Sequence, residues 1–150
     1  MSDLTIRPAT AGDVSAIVAM LADDVLGATR ESPDDLAPYL AAFAVIDADP
    51  HQKLVVAERD GRVVGTLQLT ILPGLSRRAT IRALVEAVRV AGSERGSGLG
   101  TELFRWAIDE ARRCGCRLVQ LTTDRTRTDA HRFYESLGFE PTHIGYKLTL

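Results

Sequence analysis

The stretch Arg95-Gly96-Ser97-Gly98-Leu99-Gly100 decides the predicted fold, because it joins a predicted strand to a predicted helix. Its three glycines alternate, so backbone amides can turn toward one side without side chains in the way. A helix that begins there adds unpaired N–H groups and a partial positive charge. Taken alone, the stretch is compatible with an anion-binding turn for a diphosphate, where Arg95 adds a charged contact, or with a flexible loop.

Two common nucleotide-binding motifs are excluded at this turn. A Walker loop needs a lysine followed by serine or threonine, and no lysine stands between Lys53 and Lys147. A Rossmann fingerprint needs a further glycine where Thr101 stands, and it follows the first strand of its fold. Here several strands come first.

The residues before the turn predict an antiparallel meander. Strands are predicted at 4–7, 53–59, 63–72 and 80–90. Asp60-Gly61 between the second and third strands is typical of a two-residue hairpin. Two helices precede the meander: one runs from about 14 to 24, and the next starts at Ser32 as N-cap with Pro33 in its first position.

The residues after the turn predict a change of pattern. One apolar helix face is formed by Leu103, Phe104, Ala107, Ile108 and Ala111. Gly115 ends that helix, a strand follows at 117–122 and a further helix at 129–137. A last strand pair is predicted at 139–150. A strand, helix and strand after a meander imply an α+β fold with a parallel strand pair inside the sheet.

Composition narrows the classes of protein that the chain can belong to. Its 150 residues suit one domain, 1–150. Its net charge is −2, so the chain lacks the excess of basic residues that binding to nucleic acid requires. Residues 1–10 do not have the pattern of a signal peptide, and no stretch approaches the roughly 20 apolar residues of a membrane span. Cys114 and Cys116 lack the spacing and partners of a zinc site. We therefore expect a cytoplasmic protein without a metal or a membrane partner.

The turn and a second motif together resemble the GNAT family of N-acetyltransferases. Arg95 to Gly100 fits the family pattern Q/R-x-x-G-x-G/A, and Val88-Arg89-Val90 precedes it as the usual strand end. Phe133-Tyr134-Glu135-Ser136-Leu137-Gly138-Phe139 matches a downstream motif in the expected order. The resemblance implies a mixed sheet of six or seven strands with about four helices. In that fold the central parallel strands splay apart, and the cofactor lies in the cleft between them.

The resemblance also implies a substrate pair and a binding site. The donor would be acetyl-coenzyme A (acetyl-CoA), and the acceptor a primary amine, most simply that of a small molecule. In similar proteins the backbone at Val88, Arg89 and Val90 binds the pantetheine arm. The diphosphate site corresponds to the amides of Arg95, Gly96, Ser97, Gly98, Leu99, Gly100 and Thr101. Family members are often dimers, and apolar C-terminal strands would suit a homodimer.

The resemblance assigns two catalytic residues, each with an alternative. An amine attacks a thioester only when it is neutral, so a base must remove a proton, and the departing thiolate benefits from a proton donor. Tyr134 occupies the family position of that donor, although it would also serve as a half-buried aromatic residue. Glu86 is the candidate base; two-residue periodicity places it on the face of Val88, where it would alternatively bind the substrate cation. The roles of His131 and His143 stay open.

Two other functions remain open from the sequence. A domain with this cofactor site could sense acetyl-CoA without catalysing transfer. It could also acetylate protein side chains or N-termini, for which a broad acidic groove would be needed. Neither alternative changes the predicted fold or the predicted donor.

Overall fold

In the part of the chain that the structure describes, five strands form one sheet, and their order in space follows their order along the chain. The computed structural model describes residues 3–150, which fall into two compact units, 3–120 and 121–150. Met1 and Ser2, which open the stretch compared with a signal peptide, lie outside the described residues. All five strands belong to the first unit: β1 (Leu4–Pro8), β2 (Gln52–Arg59), β3 (Arg62–Leu72), β4 (Arg82–Val90) and β5 (Leu118–Gln120).

The predicted meander and parallel pair are confirmed. Strands β1 to β4 are antiparallel neighbours, whereas β4 and β5 run parallel. Asp60 and Gly61 both have positive φ, 54° and 73°, and these angles suit the twist of the β2–β3 hairpin. The chain therefore has the mixed sheet of an α+β fold.

Within the described residues, two short 3-10 helices, Ala11–Asp13 and Gly92–Glu94, and six α-helical segments accompany the sheet: α1 (Val14–Ala22), α2 (Gly27–Arg30), α3 (Ala37–Ala48), α4 (Ser76–Ala79), α5 (Leu99–Arg113) and α6 (Thr128–Ser136). Of these, α4 is a single turn of left-handed backbone, with φ near 55° at Arg77, Arg78 and Ala79. Only α6 belongs to the second unit. None of the helices within residues 3–150 has the length and apolar character needed to cross a bilayer.

The long helix α5 packs closely on the sheet. Leu99, Leu103 and Phe104 on its apolar face are at most 2% exposed. Gly65 on β3 permits this close approach, because a Cβ atom there would lie 3.1 Å from Leu103 Cδ1 and 3.3 Å from Leu99 Cδ2. A second buried cluster includes Ile17 of α1. The packing of α5 fixes the position of the glycine-rich turn that precedes it.

The predicted start of the second helix is wrong. Ser32 and Pro33 begin a turn, in which the N–H of Asp35 donates to the carbonyl of Ser32 over 3.0 Å. The hydroxyl of Tyr39 accepts the N–H of Ser32 at 2.8 Å, and α3 begins only at Ala37. Proline at the second position of a turn and proline in a first helical turn use the same φ, so Ser-Pro alone does not distinguish them.

The predicted strand pair at 139–150 is also wrong, and the sheet of the described chain has five strands rather than six or seven. Residues 139–150 form neither helix nor strand, and every residue from 140 to 150 is exposed. The alternation of apolar residues that indicates a strand is present there. A strand also needs a hydrogen-bonded neighbour, and residues 3–150 of one copy supply none to this segment.

Candidate functional site

The parallel strands β4 and β5 pair with each other over only three residues of each strand. Their register pairs are Arg82 with Leu118, Ala83 with Val119 and Leu84 with Gln120, and pairing then ends. Strand β4 continues to Val90, so from residue 85 onward its edge toward β5 has no strand neighbour in the described chain. This short pairing fits the splayed parallel strands that the resemblance implies. The open edge offers backbone N–H and C=O groups to an extended ligand.

A β-bulge interrupts β4 within this open stretch. Gln68 of β3 pairs with Glu86, and Thr66 pairs with Arg89, so two residues of β4 oppose one residue of β3. Ala87, inside the bulge, has a φ of 53°, which is rare for a residue with a side chain. The bulge leaves the backbone of one extra residue outside the ladder and bends the strand at the cleft.

The bulge corrects the expectation that Glu86 and Val88 share a face. Cross-strand partners point to the same face of a sheet, and Thr66 and Gln68, two residues apart, share one. Their partners Arg89 and Glu86 therefore share that face although they are three residues apart. Val88, adjacent to Arg89, points to the opposite one. Glu86 itself is exposed, and its catalytic role stays a prediction.

The glycine-rich turn has the backbone of an anion site. Gly96 and Gly98 have φ of 80° and 87°, a region that other residues enter only with strain. Gly98 is the N-cap of α5, and no side chain caps the helix there. The first-turn N–H groups of Leu99, Gly100 and Thr101 have no acceptor within the helix by its geometry. A Cβ atom at Gly96 or Gly98 would meet nothing within 4 Å, so the space above the turn is open.

Two arginines of the predicted site contact the end of α1. The Arg95 guanidinium lies 3.2 Å from the carbonyl oxygen of Asp23 and 3.5 Å from its carboxylate. Arg89 Nε lies 3.2 Å from an Asp24 carboxylate oxygen, and its Nη1 donates to the carbonyl of Val88 at 2.8 Å. Sequence reasoning missed Asp23 and Asp24. Two adjacent acidic residues after a predicted helix indicate a possible ion-pair site. No nearby residue in the sequence indicated that their partners are Arg89 and Arg95.

The second unit carries the predicted proton donor. Tyr134 lies on α6, half-buried, with its ring centroid 5.7 Å from that of Phe133 and 6.2 Å from that of Phe139, edge-on. His131 Nε2 lies 3.2 Å from the carbonyl oxygen of Asp124, and His143 Nδ1 lies 2.6 Å from Thr142 Oγ1. Glu86 and the glycine-rich turn belong to the first unit. The donor role of Tyr134 therefore stays a prediction.

A separate cavity of about 380 Å³ lies between α3, β2 and α5 and shares no residue with the turn. Lys53 Nζ lies 3.1 Å from Glu110 Oε1, and Arg113 pairs with the same carboxylate. The hydrogen bond from Arg113 is the main cause that lowers the pKa of Glu110 to about 2. Lys53 and Arg113 both pair with the Glu110 carboxylate, so these three residues form a structural ion-pair cluster at the cavity. Within residues 3–150 no group of three or more acidic, histidine or cysteine side chains is arranged to hold a metal.

Comparison with known proteins identifies the family. The model of the acetyltransferase (GNAT) family matches residues 18–139. The chain belongs to this family. It is 31% identical to the aminoalkylphosphonate N-acetyltransferase of Salmonella typhimurium over 97% of this chain and 90% of that one. It is also 31% identical to the glucosamine 6-phosphate N-acetyltransferase of Trypanosoma brucei brucei, over 99% and 97%.

A solved structure shares the fold of this chain. The sequence is 45% identical to that of a transcriptional regulator from Bacillus halodurans. The crystal structure of that protein matches this chain with a TM-score of 0.94, over 99% of this chain and 100% of that one. The GNAT fold and the family resemblance are thus confirmed. The chain is an N-acetyltransferase that uses acetyl-CoA as donor. The uncapped amides of the turn suit the diphosphate of that donor, and the open edge of β4 suits its extended arm.

Proposed function

We propose that this GNAT enzyme acetylates the primary amine of a small molecule. The observation that carries the proposal is the end-to-end match to two N-acetyltransferases named for small acceptors. An aminoalkylphosphonate and glucosamine 6-phosphate both combine an amine with a phosphorus-centred anion. Acceptors of that type are therefore the first to test with this chain.

The donor would bind along the first unit. The amides of Gly96 to Thr101 hold the diphosphate at the start of α5, where the partial positive charge of the helix adds to the attraction. Arg95 is 61% exposed on its side chain and can reach the same anion. The backbone of Val88, Arg89 and Val90 holds the arm along the open edge of β4. The thioester end then comes to lie near the bulge.

The proposed chemistry uses three groups of this chain. Glu86 takes the proton of the acceptor ammonium, directly or through a water molecule, so that the free amine attacks the thioester carbonyl. A backbone N–H that the bulge at Ala87 leaves outside the ladder donates to the developing oxyanion. Tyr134 gives its proton to the departing thiolate; a phenol, with a pKa near 10, matches that leaving group.

Thiol release measured over a panel of amines tests the function. The panel holds aminoalkylphosphonates, amino sugar phosphates, amino acids and lysine peptides, each with acetyl-CoA. We expect turnover with one of the small amines and much slower turnover in Glu86→Gln. Preferential acetylation of the peptides would contradict the small-molecule proposal. Binding of acetyl-CoA without turnover on any amine would favour a regulator, the function for which the Bacillus halodurans relative is named.

The domain organisation, the cellular location and the oligomeric state of the enzyme are further parts of the proposal. The family match spans both compact units, which supports their acting as one catalytic domain, 1–150. We propose a cytoplasmic enzyme, and the net charge of −2 supports the absence of a nucleic-acid partner. We also propose a homodimer, for which the exposed apolar residues near position 150 are the supporting observation.

A further inference from the structure

Strand β4 orders the two proposed substrates along its length. In the function proposed above, the donor diphosphate lies at the turn that follows β4, and the arm of the donor lies along Val88 to Val90. The thioester then lies near the bulge, beside Glu86. The donor therefore occupies the direction from Glu86 toward the end of the strand. An acceptor whose amine meets the thioester at Glu86 extends the other way, toward the start of β4 at Arg82.

The first half of β4 presents three side chains to this acceptor. The pairing of β4 with β3 is regular from Arg82 to Glu86, so Arg82, Leu84 and Glu86 share one face of the sheet. Glu86 is exposed, whereas Arg82 and Leu84 are half-buried. The Cα atoms of Arg82 and Glu86 lie about 13 Å apart, at about 3.3 Å per residue. Both side chains are long, so a small molecule above Leu84 can reach the carboxylate at one end and the guanidinium at the other.

Arg82 differs in its partner from the other half-buried arginines of the first unit. Arg7, Arg59 and Arg89 each pair with a carboxylate within 3.2 Å. Within residues 3–150 Arg82 forms no ion pair, and its Nη1 donates to the side-chain oxygen of Gln120 at 3.0 Å. A guanidinium carries five N–H donors in a planar fork that matches the oxygens of a phosphate or a carboxylate. Arg82 therefore retains both its charge and several donors for an anion.

Arg89 is the other cation on the face of Glu86, and it is less suited to bind the acceptor. It lies on the donor side of Glu86 along β4. Its Nε lies 3.2 Å from a carboxylate oxygen of Asp24, and its Nη1 donates to the carbonyl of Val88 at 2.8 Å. The charge of Arg89 is therefore neutralised by this chain, whereas that of Arg82 is not.

We infer that Arg82 binds an acidic group of the acceptor, so that the enzyme favours amines that carry a phosphonate, a phosphate or a carboxylate a few bonds from the nitrogen. The inference deepens the small-molecule function proposed above and rests on it. Glu86 attracts the ammonium, and Arg82 forms charge-assisted hydrogen bonds with the anion, so the two contacts orient the acceptor along β4. The side-chain nitrogen of Gln120 adds a neutral donor beside the guanidinium.

Two matched sets of amines test the preference. 2-Aminoethylphosphonate, β-alanine and propylamine share a two-carbon spacer and end in a phosphonate, a carboxylate and a methyl group. Glucosamine 6-phosphate and glucosamine differ only in the phosphate. Steady-state acetylation with acetyl-CoA gives kcat/KM for each amine. In at least one set we expect the wild type to prefer an acidic amine by about tenfold or more, mainly through a lower KM. The phosphonate and the carboxylate arms show which acid is preferred.

Arg82→Gln and Arg117→Gln are matched variants, because each removes one positive charge at the same end of the β4–β5 pair. Arg117 is exposed, and its N–H, which the variant keeps, donates to the carbonyl of Ile81 at 3.0 Å. Arg82→Gln should reduce the preference for the acidic amine by about 10- to 100-fold, and Arg117→Gln by less than about threefold. If Arg82 only ties β4 to β5 through Gln120, its variant will lose stability and keep the preference. An unchanged preference, or equal effects of the two variants, would overturn the inference.

The outcomes distinguish this inference from the proposed function. Turnover of propylamine or glucosamine as fast as their acidic counterparts would refute the inference and leave the small-molecule function in place. Absence of turnover with every small amine would refute the function, and binding then decides on Arg82. For this purpose each acidic amine and its neutral counterpart are titrated into the protein with coenzyme A bound. Tighter binding of the acidic amine that Arg82→Gln abolishes would support the anion site, and equal or absent binding would overturn it.

Discussion

At the scale of single residues, Asp13 shows how one carboxylate links two elements. It accepts hydrogen bonds from Arg7 Nη1 at 2.8 Å, Arg7 Nη2 at 3.0 Å and the N–H of Thr10 at 2.7 Å, and its side chain is 9% exposed. The Arg7 hydrogen bond is the main cause that lowers the pKa of Asp13 from 3.8 to about 2. A lowered pKa means that the ionised carboxylate stabilises the fold at neutral pH.

Asp13→Asn should therefore lower the free energy of unfolding by about 2 kcal/mol at neutral pH. The stabilisation of the wild type is complete above about pH 4 and is lost as the pH falls toward about 2, so the difference between the two proteins should close over that interval. Urea denaturation at a series of pH values measures it. Asp109→Asn is the control, because Asp109 pairs with Arg112 at 77% exposure and should change stability by less than about 1 kcal/mol. A pH-independent difference for Asp13→Asn would contradict the account.

Tyr134→Phe removes the proposed proton donor and keeps the ring that packs near Phe133 and Phe139. We expect kcat to fall by about 100-fold, while the KM for acetyl-CoA changes little, because only the hydroxyl that acts late in the reaction is lost. Steady-state kinetics provide the measurement. Tyr39→Phe is a matched control, since its hydroxyl bonds Ser32 and Glu31 and should affect stability rather than kcat. Unchanged kcat in Tyr134→Phe would remove the tyrosine from the mechanism.

At the scale of elements, a glycine lies at each end of α5. Substituting one or the other distinguishes damage to the anion site from backbone strain in the helix. Gly98 at the start has a φ of 87°, and Gly115 beyond the end has a φ of 81°. Alanine at either position costs about 1–2 kcal/mol of backbone strain. Gly98→Ala should also raise the dissociation constant of acetyl-CoA by about tenfold, because it moves the first-turn amides that hold the diphosphate.

Calorimetric titration of both variants measures this effect. Gly115→Ala should lose similar stability and bind acetyl-CoA as the wild type does, because the far end of α5 does not touch the diphosphate site. Equal weakening of binding in both variants would mean that strain in α5, rather than the amides of the turn, governs affinity.

Local patterns in the sequence predicted the elements whose causes are local. The apolar face of α5, the Asp60-Gly61 hairpin and the start of α5 after the glycine-rich turn each depend on neighbouring residues, and each is confirmed. Binding of an anion at that turn stays a prediction. The bulge at Ala87 was not predictable, because it depends on the register between β4 and β3. Because of that register, Glu86 and Val88 point to opposite faces of the sheet.

At the scale of the whole molecule, residues 139–150 mark the limit of sequence reasoning. The alternation around Tyr146 predicted a strand that the described chain does not form, because the alternation said nothing about where a hydrogen-bonded neighbour would come from. Pairing between strands is a long-range property of the fold or of an assembly. The pairing of Arg89 and Arg95 with Asp24 and Asp23 was hidden for the same reason.

Recognition of the acetyl-CoA diphosphate by the turn at Arg95 to Thr101 is the central feature of the proposed donor site. Thermal unfolding is measured with acetyl-CoA and with acetylpantetheine, which carries the same thioester without the diphosphate. Acetyl-CoA at a hundredfold excess over its dissociation constant should stabilise the protein by about 2.7 kcal/mol, which raises Tm by about 5–10 °C. Acetylpantetheine at the same concentration should raise Tm far less. No shift with acetyl-CoA, or equal shifts with both compounds, would contradict the assignment of the turn.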